Sequence, residues 1–181
     1  GILYNPMSVS SSIRRLLDKT EFTESDLVFG NEMYHSFMHH GNFSDTDKDI
    51  CLKNISDRFN KASVFIEKTD LLLITFGTAY VYRLNQSVEE ARNDVVSNCH
   101  KFPADNFVRA RLTVEEITED WINLITVLKT VNPNLKLIFT VSPIRHWKDG
   151  AHENQISKSI LHIAIDKLIS NFIDDMYYFP A

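Results

Sequence analysis

Leu71-Leu72-Leu73-Ile74-Thr75-Phe76 is an almost uninterrupted apolar run ended by Gly77. A strand buried on both faces of a parallel sheet reads this way, since neither face is left for polar residues. The run is therefore expected to be a central strand. A second run, Leu135 to Val141, follows Asn132-Pro133-Asn134 and stops at Ser142-Pro143, where proline removes the next ladder donor. It predicts a second inner strand. Between them Thr113 and Glu116 form a T-x-x-E capping box, and Ile117, Trp121, Leu124, Ile125 and Leu128 make one helical stripe that ends before Pro133. Strand, helix, strand is a crossover unit. A further helix from about His152 to Phe172 leads into a third strand, Met176-Tyr177-Tyr178-Phe179. The pattern predicts an α/β fold with an open, mostly parallel sheet.

Upstream, Leu27-Val28-Phe29 reads as a short strand and Gly41 to Asp49 as a polar loop. Helical spacing follows at Cys51/Leu52, Ile55 and Phe59. Thr78 to Leu112 departs from the scheme: this polar stretch is far longer than the roughly two to six residues of an ordinary strand-to-helix loop. Ligands of open α/β sheets bind beyond the carboxyl ends of the strands. Gly77 to Tyr80, Asn98 to Phe102 and Ser142 to Lys148 are therefore expected to meet in one crevice.

The 181 residues suit one domain, with 44% hydrophobic residues to fill a core. Only five glycines occur, too few for a Gly-rich phosphate cradle. The net charge is −5, with no basic run, which argues against nucleic acid. Cys51 and Cys99 are isolated and lack C-x-x-C spacing, so neither a disulfide framework nor a zinc ribbon is read. No stretch approaches the roughly 18 apolar residues of a membrane span, and no signal-type segment is visible. The expectation is a cytoplasmic protein with no metal, no cofactor and no membrane contact.

Three groups carry chemistry. His35 and His39 have the i, i+4 spacing of a zinc-binding helix, but Ser36 stands where H-E-x-x-H needs its glutamate, so a metalloprotease is excluded. With His40 they read as residues beside a site. Arg145 and His146, just past the second strand, offer a cationic pair able to bind an anion or polarise a carbonyl. Asn98-Cys99-His100-Lys101 supplies an amide, a thiol, an imidazole and an ammonium. Adjacent residues rarely aim at one atom, which weighs against a Cys99–His100 thiol enzyme.

Taken in order, Gly1 to Pro6, His35-Ser36-Phe37 with His39-His40-Gly41, Phe76-Gly77-Thr78-Ala79, Asn98 to Lys101, Leu112 to Ile117, and Ser142 to His146 resemble the GSCFA family along nearly the whole chain. That family is itself similar to the SGNH or GDSL-type hydrolases. The resemblance implies a flavodoxin-like three-layer α/β/α fold and cleavage of an ester by a serine, with a carbohydrate O-acyl ester as one substrate. Gly41 falls where that superfamily has a glycine N–H donor to the oxyanion. Gly77-Thr78-Ala79-Tyr80 falls where G-x-N-D would lie, with Ala79 in place of the asparagine donor; Asn98 is the candidate substitute. Catalytic roles are then expected for Gly41, Asn98, Arg145 and His146, and substrate contacts for His35, His39, His40, Gly77, Thr78 and His100. The nucleophile block would precede Gly1 and the D-x-x-H block would follow Ala181, so residues 1–181 are expected to be an internal fragment, inert alone. Asp149-Gly150-Ala151-His152 has the D-x-x-H spacing in the wrong place. The alternative is a non-catalytic module that binds a carbohydrate or an anion through His35, His39, Arg145 and His146.

Overall fold

A computed structural model describes residues 3–85, 95–145 and 147–181. The fold is α/β, with a parallel sheet and smaller antiparallel sheets, consistent with a three-layer α/β/α architecture. In chain order the elements are α1 (Pro6–Asp18), β1 (Val28–Gly30), β2 (Met33–His35), α2 (Lys48–Ile66), β3 (Leu71–Phe76), β4 (Tyr80–Leu84), β5 (Val95–Val96), β6 (Phe107–Arg111), α3 (Val114–Val131), β7 (Lys136–Val141), α4 (Gly150–Asn171) and β8 (Met176–Tyr178). Among the described residues no helix is long and apolar enough to cross a membrane.

The parallel sheet has the order β3-β7-β8. Leu71 to Phe76 pair residue for residue with Lys136 to Val141, and Leu137 to Phe139 pair with Met176 to Tyr178. The inner strand is thus β7. The expectation that Leu71–Phe76 is central and covered on both faces is corrected: β3 is the outer strand among the described residues, with Leu73 64% exposed. Its run is apolar on both faces, but only the face of Ile74 and Phe76 packs on helices.

On that face Trp121 of α3 lies against Phe76 of β3 and Phe139 of β7, with ring centroids 5.2–5.5 Å apart in all three pairs. All three side chains are fully buried, and Leu161, Ile165 and Leu168 of α4 complete the cluster. The Trp121 indole N–H donates to the carbonyl of Pro6, which ties α1 to α3.

The α1 helix has a local cause that the pattern reading passed over. Asn5 caps it by accepting from the Ser8 N–H at 2.8 Å, and Pro6 occupies the first turn, where its missing donor is harmless. Lys19, with φ 52°, closes the other end in the left-handed conformation. Just before the cap, the Tyr4 carbonyl accepts from the N–H groups of Gly77 and Thr78 at 2.7 and 3.0 Å. The entry to α1 is therefore fixed to the carboxyl end of β3.

The Thr78–Leu112 stretch is also more than a loop. Its described residues form an antiparallel sheet of order β5-β4-β6, with Tyr80 to Leu84 paired against Arg111 to Phe107. Charged residues fasten this sheet to the start of α4. Arg109 lies 3.8 Å from the Tyr80 ring centroid and pairs with Asp149; Arg111 and the Tyr80 hydroxyl both meet Glu153.

Candidate functional site

The expected single crevice divides into two groups of residues. The first is the carboxyl edge of the parallel sheet. There Lys158 of α4 donates to the carbonyls of Gly77 and Ser142, at 2.5 and 2.7 Å, and so links the ends of β3 and β7. Burial holds its pKa below that of an ordinary lysine. Ser157 Oγ accepts from the Ala79 N–H at 2.8 Å, while Thr78 Oγ1 lies 3.2 Å from the same oxygen and accepts from the Tyr80 N–H. Ala79 is fully buried. A Cβ added to Gly77 would stand 2.9 Å from the Tyr4 carbonyl oxygen, so the approach of the chain before α1 requires glycine. Gly77 and Thr78 thus hold the strand end to α1 and α4. Lys158 and Ser157 carry no motif; both lie within α4, and in sequence they show only as polar residues of a helix.

The second group gathers around the loop from His35 to Phe43. His35 is buried, donates from Nε2 to the Gly30 carbonyl at 2.9 Å and meets Ser44 Oγ through Nδ1 at 2.7 Å. Both ring nitrogens are occupied within the chain. His100 stacks on it at 4.5 Å and donates from Nε2 to the Ser36 carbonyl at 2.8 Å. Burial lowers the pKa of His100, the Ser36 carbonyl opposing that shift. His100 and Lys101 have φ of 47° and 60°, which turns the chain so that Phe102 packs over Gly30, where no Cβ would fit. The Asn98–Phe102 segment therefore docks on the histidine loop; the N–H groups of Ser97 and Asn98 donate to the Phe37 carbonyl at 2.7 and 3.2 Å.

His39 lies edge-on to Phe22 at 4.8 Å and against Phe43 at 5.1 Å, with Nδ1 3.0 Å from Ser36 Oγ. Burial, reinforced by the nearby Arg15 guanidinium, lowers its pKa to about 4. It is neutral at pH 7. His40 accepts the Asn42 N–H on Nδ1, so its neutral form carries the proton on Nε2. Gly41 follows, with no atom within 4 Å of where its Cβ would stand. Its carbonyl accepts from Ser44, but its N–H has no hydrogen-bond partner among the described residues. Asn98 accepts the His100 N–H on Oδ1, and its side-chain NH2 likewise has no partner among the described residues.

Arg145 is exposed and makes no hydrogen bond or ion pair among the described residues. His146 lies outside the described residues. Asp149 is engaged by Arg109 rather than by His152. The Cys99 thiol is half-buried and its pKa is raised by burial, the opposite of an activated thiolate. Among the described residues no three His, Cys, Asp or Glu side chains are placed to hold a metal.

The order of these blocks and the α/β frame that carries them define the class: the family model described as the GSCFA family matches residues 1–181, and the chain belongs to that family. No curated protein and no solved structure matches the chain.

Proposed function

We propose that this chain forms the scaffold and the oxyanion side of an SGNH-like serine ester hydrolase, acting on an acyl ester such as an acylated carbohydrate. The observation that carries the reading is the Gly41 N–H, which has no partner among the described residues, lies in the same loop whose Phe37 carbonyl holds the Asn98 segment, and is the type of donor that stabilises a tetrahedral oxyanion. Asn98 supplies the second donor in place of the asparagine that Ala79 replaces. The serine and the base come from segments outside residues 1–181. Support for that placement is that β3 has no second strand neighbour among the described residues and that the Tyr4 carbonyl, just before α1, is anchored at its carboxyl end.

The test uses the full-length protein with p-nitrophenyl esters, acetylated sugars and a fluorophosphonate label. Hydrolysis with labelling is expected, and Asn98→Ala should lower kcat roughly 100- to 1,000-fold with little change in KM. Absence of both turnover and label removes the enzyme reading. One observation favours a non-catalytic carbohydrate- or anion-binding module instead: the buried Ala79, whose N–H is already satisfied by Ser157. Binding of a sugar or of phosphate without labelling decides for it.

A further inference from the structure

Between α1, α2 and the His39–Phe43 loop lies a cavity of about 350 Å³. Most of its wall is apolar, with Leu16, Phe22, Met38, Phe43, Phe59 and Ala62 among the lining residues, and Ser12 and His39 also reach it. Two arginines also border it, in different states. Arg15 is neutralised by a paired contact with Asp26, both nitrogens at 2.9 Å, and its guanidinium lies 3.6 Å from the Phe22 ring centroid. Arg58 has no hydrogen bond or ion pair among the described residues. No carboxylate lines the cavity. His40 and Asn42 are lining residues too, and Gly41, whose N–H has no partner among the described residues, lies between them in the chain.

A largely apolar chamber bordered by a cation that is unpaired among the described residues selects by shape and by sign. A carbohydrate would leave its hydroxyl groups unsatisfied against phenyl and methionine walls. A cationic amphiphile would meet Arg58 with no acid to receive it. We infer that the cavity takes the apolar chain of a medium-length carboxylic acid or of its ester, with the carboxyl end toward the lining residues Arg58, His40 and Asn42. The placement of the carboxyl end rests on the ester reading above; the affinity for the chain does not. The volume lies near the lower end of the roughly 300–1,000 Å³ of small-molecule sites, which favours a chain of about octanoyl length over a long fatty acid. Leu3 lines both this cavity and a smaller depression bordered by Gly77 and Ser142, so the chamber adjoins the carboxyl edge of the sheet.

The experiment is calorimetric titration of the full-length protein with sodium butanoate, hexanoate and octanoate, and with octylammonium as the sign control. Each added methylene should tighten binding roughly fourfold, and octylammonium should not bind. Ala62→Trp, which fills the chamber from α2, should weaken octanoate more than tenfold, with Ala62→Leu giving a smaller loss in the same direction. Arg58→Gln should weaken octanoate several-fold and leave octanol unaffected. A flat chain-length series in the wild-type protein overturns the inference, as does octylammonium binding as tightly as octanoate, or octanoate affinity unchanged in a folded Ala62→Leu protein. Octanoate binding without any ester turnover supports the cavity and counts against the hydrolase reading. Turnover of acetyl esters with no octanoate binding does the reverse and overturns the cavity.

Discussion

The apolar cluster beneath the parallel sheet and the cluster between α1 and α2 use the same kinds of residue, yet only the first is filled. Trp121 meets Phe76 and Phe139 edge to face, all three rings have no exposure, and the indole N–H has its acceptor. The second has a closed floor, with Cys51 and Ile55 fully buried and Phe22 set edge-on to Phe59 at 5.5 Å. Above that floor it stays hollow. Atoms that line a void lose dispersion contacts that close packing would supply. Polar groups follow the same division. At the carboxyl edge of the sheet Lys158, Ser157 and Thr78 pair with one another or with backbone, whereas Gly41, Asn98 and Arg58 keep donors unmatched among the described residues. One region is organised for stability and the other retains capacity to bind.

The largest effect that would break this contrast concerns the two aromatic sets. Trp121→Ala should cost roughly 3–5 kcal/mol, because it removes the central ring of a filled core and leaves the Pro6 carbonyl without its donor. Phe59→Ala borders space that already exists and should cost less. Urea unfolding at constant m-value measures both. Equal losses would show that the second cluster is packed as tightly as the first, and the distinction would fall.

A second test uses pH. His39 is held neutral down to about pH 4 in the folded chain, against 6.5 for an exposed imidazole. Below pH 6.5 the unfolded chain takes up a proton that the folded chain refuses, so stability falls; the loss is complete near pH 4, where the folded form also protonates. A difference of that size corresponds to about 3 kcal/mol at most. Denaturant midpoints between pH 7 and 4 should decline in the wild type and decline less in His39→Phe. Parallel curves for the two proteins would show that His39 is not buried at the cavity wall as described.

Much of this contrast is legible in the sequence. The α3 stripe, its T-x-x-E cap and the pairing of two apolar runs all appear as expected, because capping and burial periodicity are local properties that sequence displays directly. The outer position of β3 was hidden, since a run apolar on both faces looks the same whether or not its second face is covered. The sheet made by β4, β5 and β6 was hidden for another reason: Arg83, Arg109 and Arg111 interrupt its alternation, and two of them meet carboxylates at the start of α4, Asp149 at its cap and Glu153 in its first turn, that sequence distance conceals. Within the candidate site, the histidine loop and Gly41 were visible as a cluster. The division of labour inside it was not, because His35, His39 and His100 look alike in sequence and differ only in what surrounds their rings.

The smallest expected effect separates the two motif glycines. At Gly77 a new Cβ would meet the Tyr4 carbonyl oxygen at 2.9 Å, and that neighbour is backbone held by two hydrogen bonds, so it yields only by displacing the entry to α1. Gly77→Ala should therefore destabilise by roughly 1–3 kcal/mol, the range for a forced overlap in a packed region. Gly41 has open space around the same vector. Gly41→Ala should change stability by no more than about 0.5 kcal/mol, as ordinary exposed substitutions do. Thermal unfolding of the two variants side by side reads the difference. Because alanine keeps the backbone N–H, a stable Gly41→Ala protein also isolates the site: a loss of octanoate affinity or ester turnover in it would come from a methyl group between the lining residues His40 and Asn42 and not from a damaged fold. If instead Gly41→Ala unfolded as readily as Gly77→Ala, the histidine loop would be as tightly constrained as the sheet edge, and its open N–H would have no room to receive a ligand.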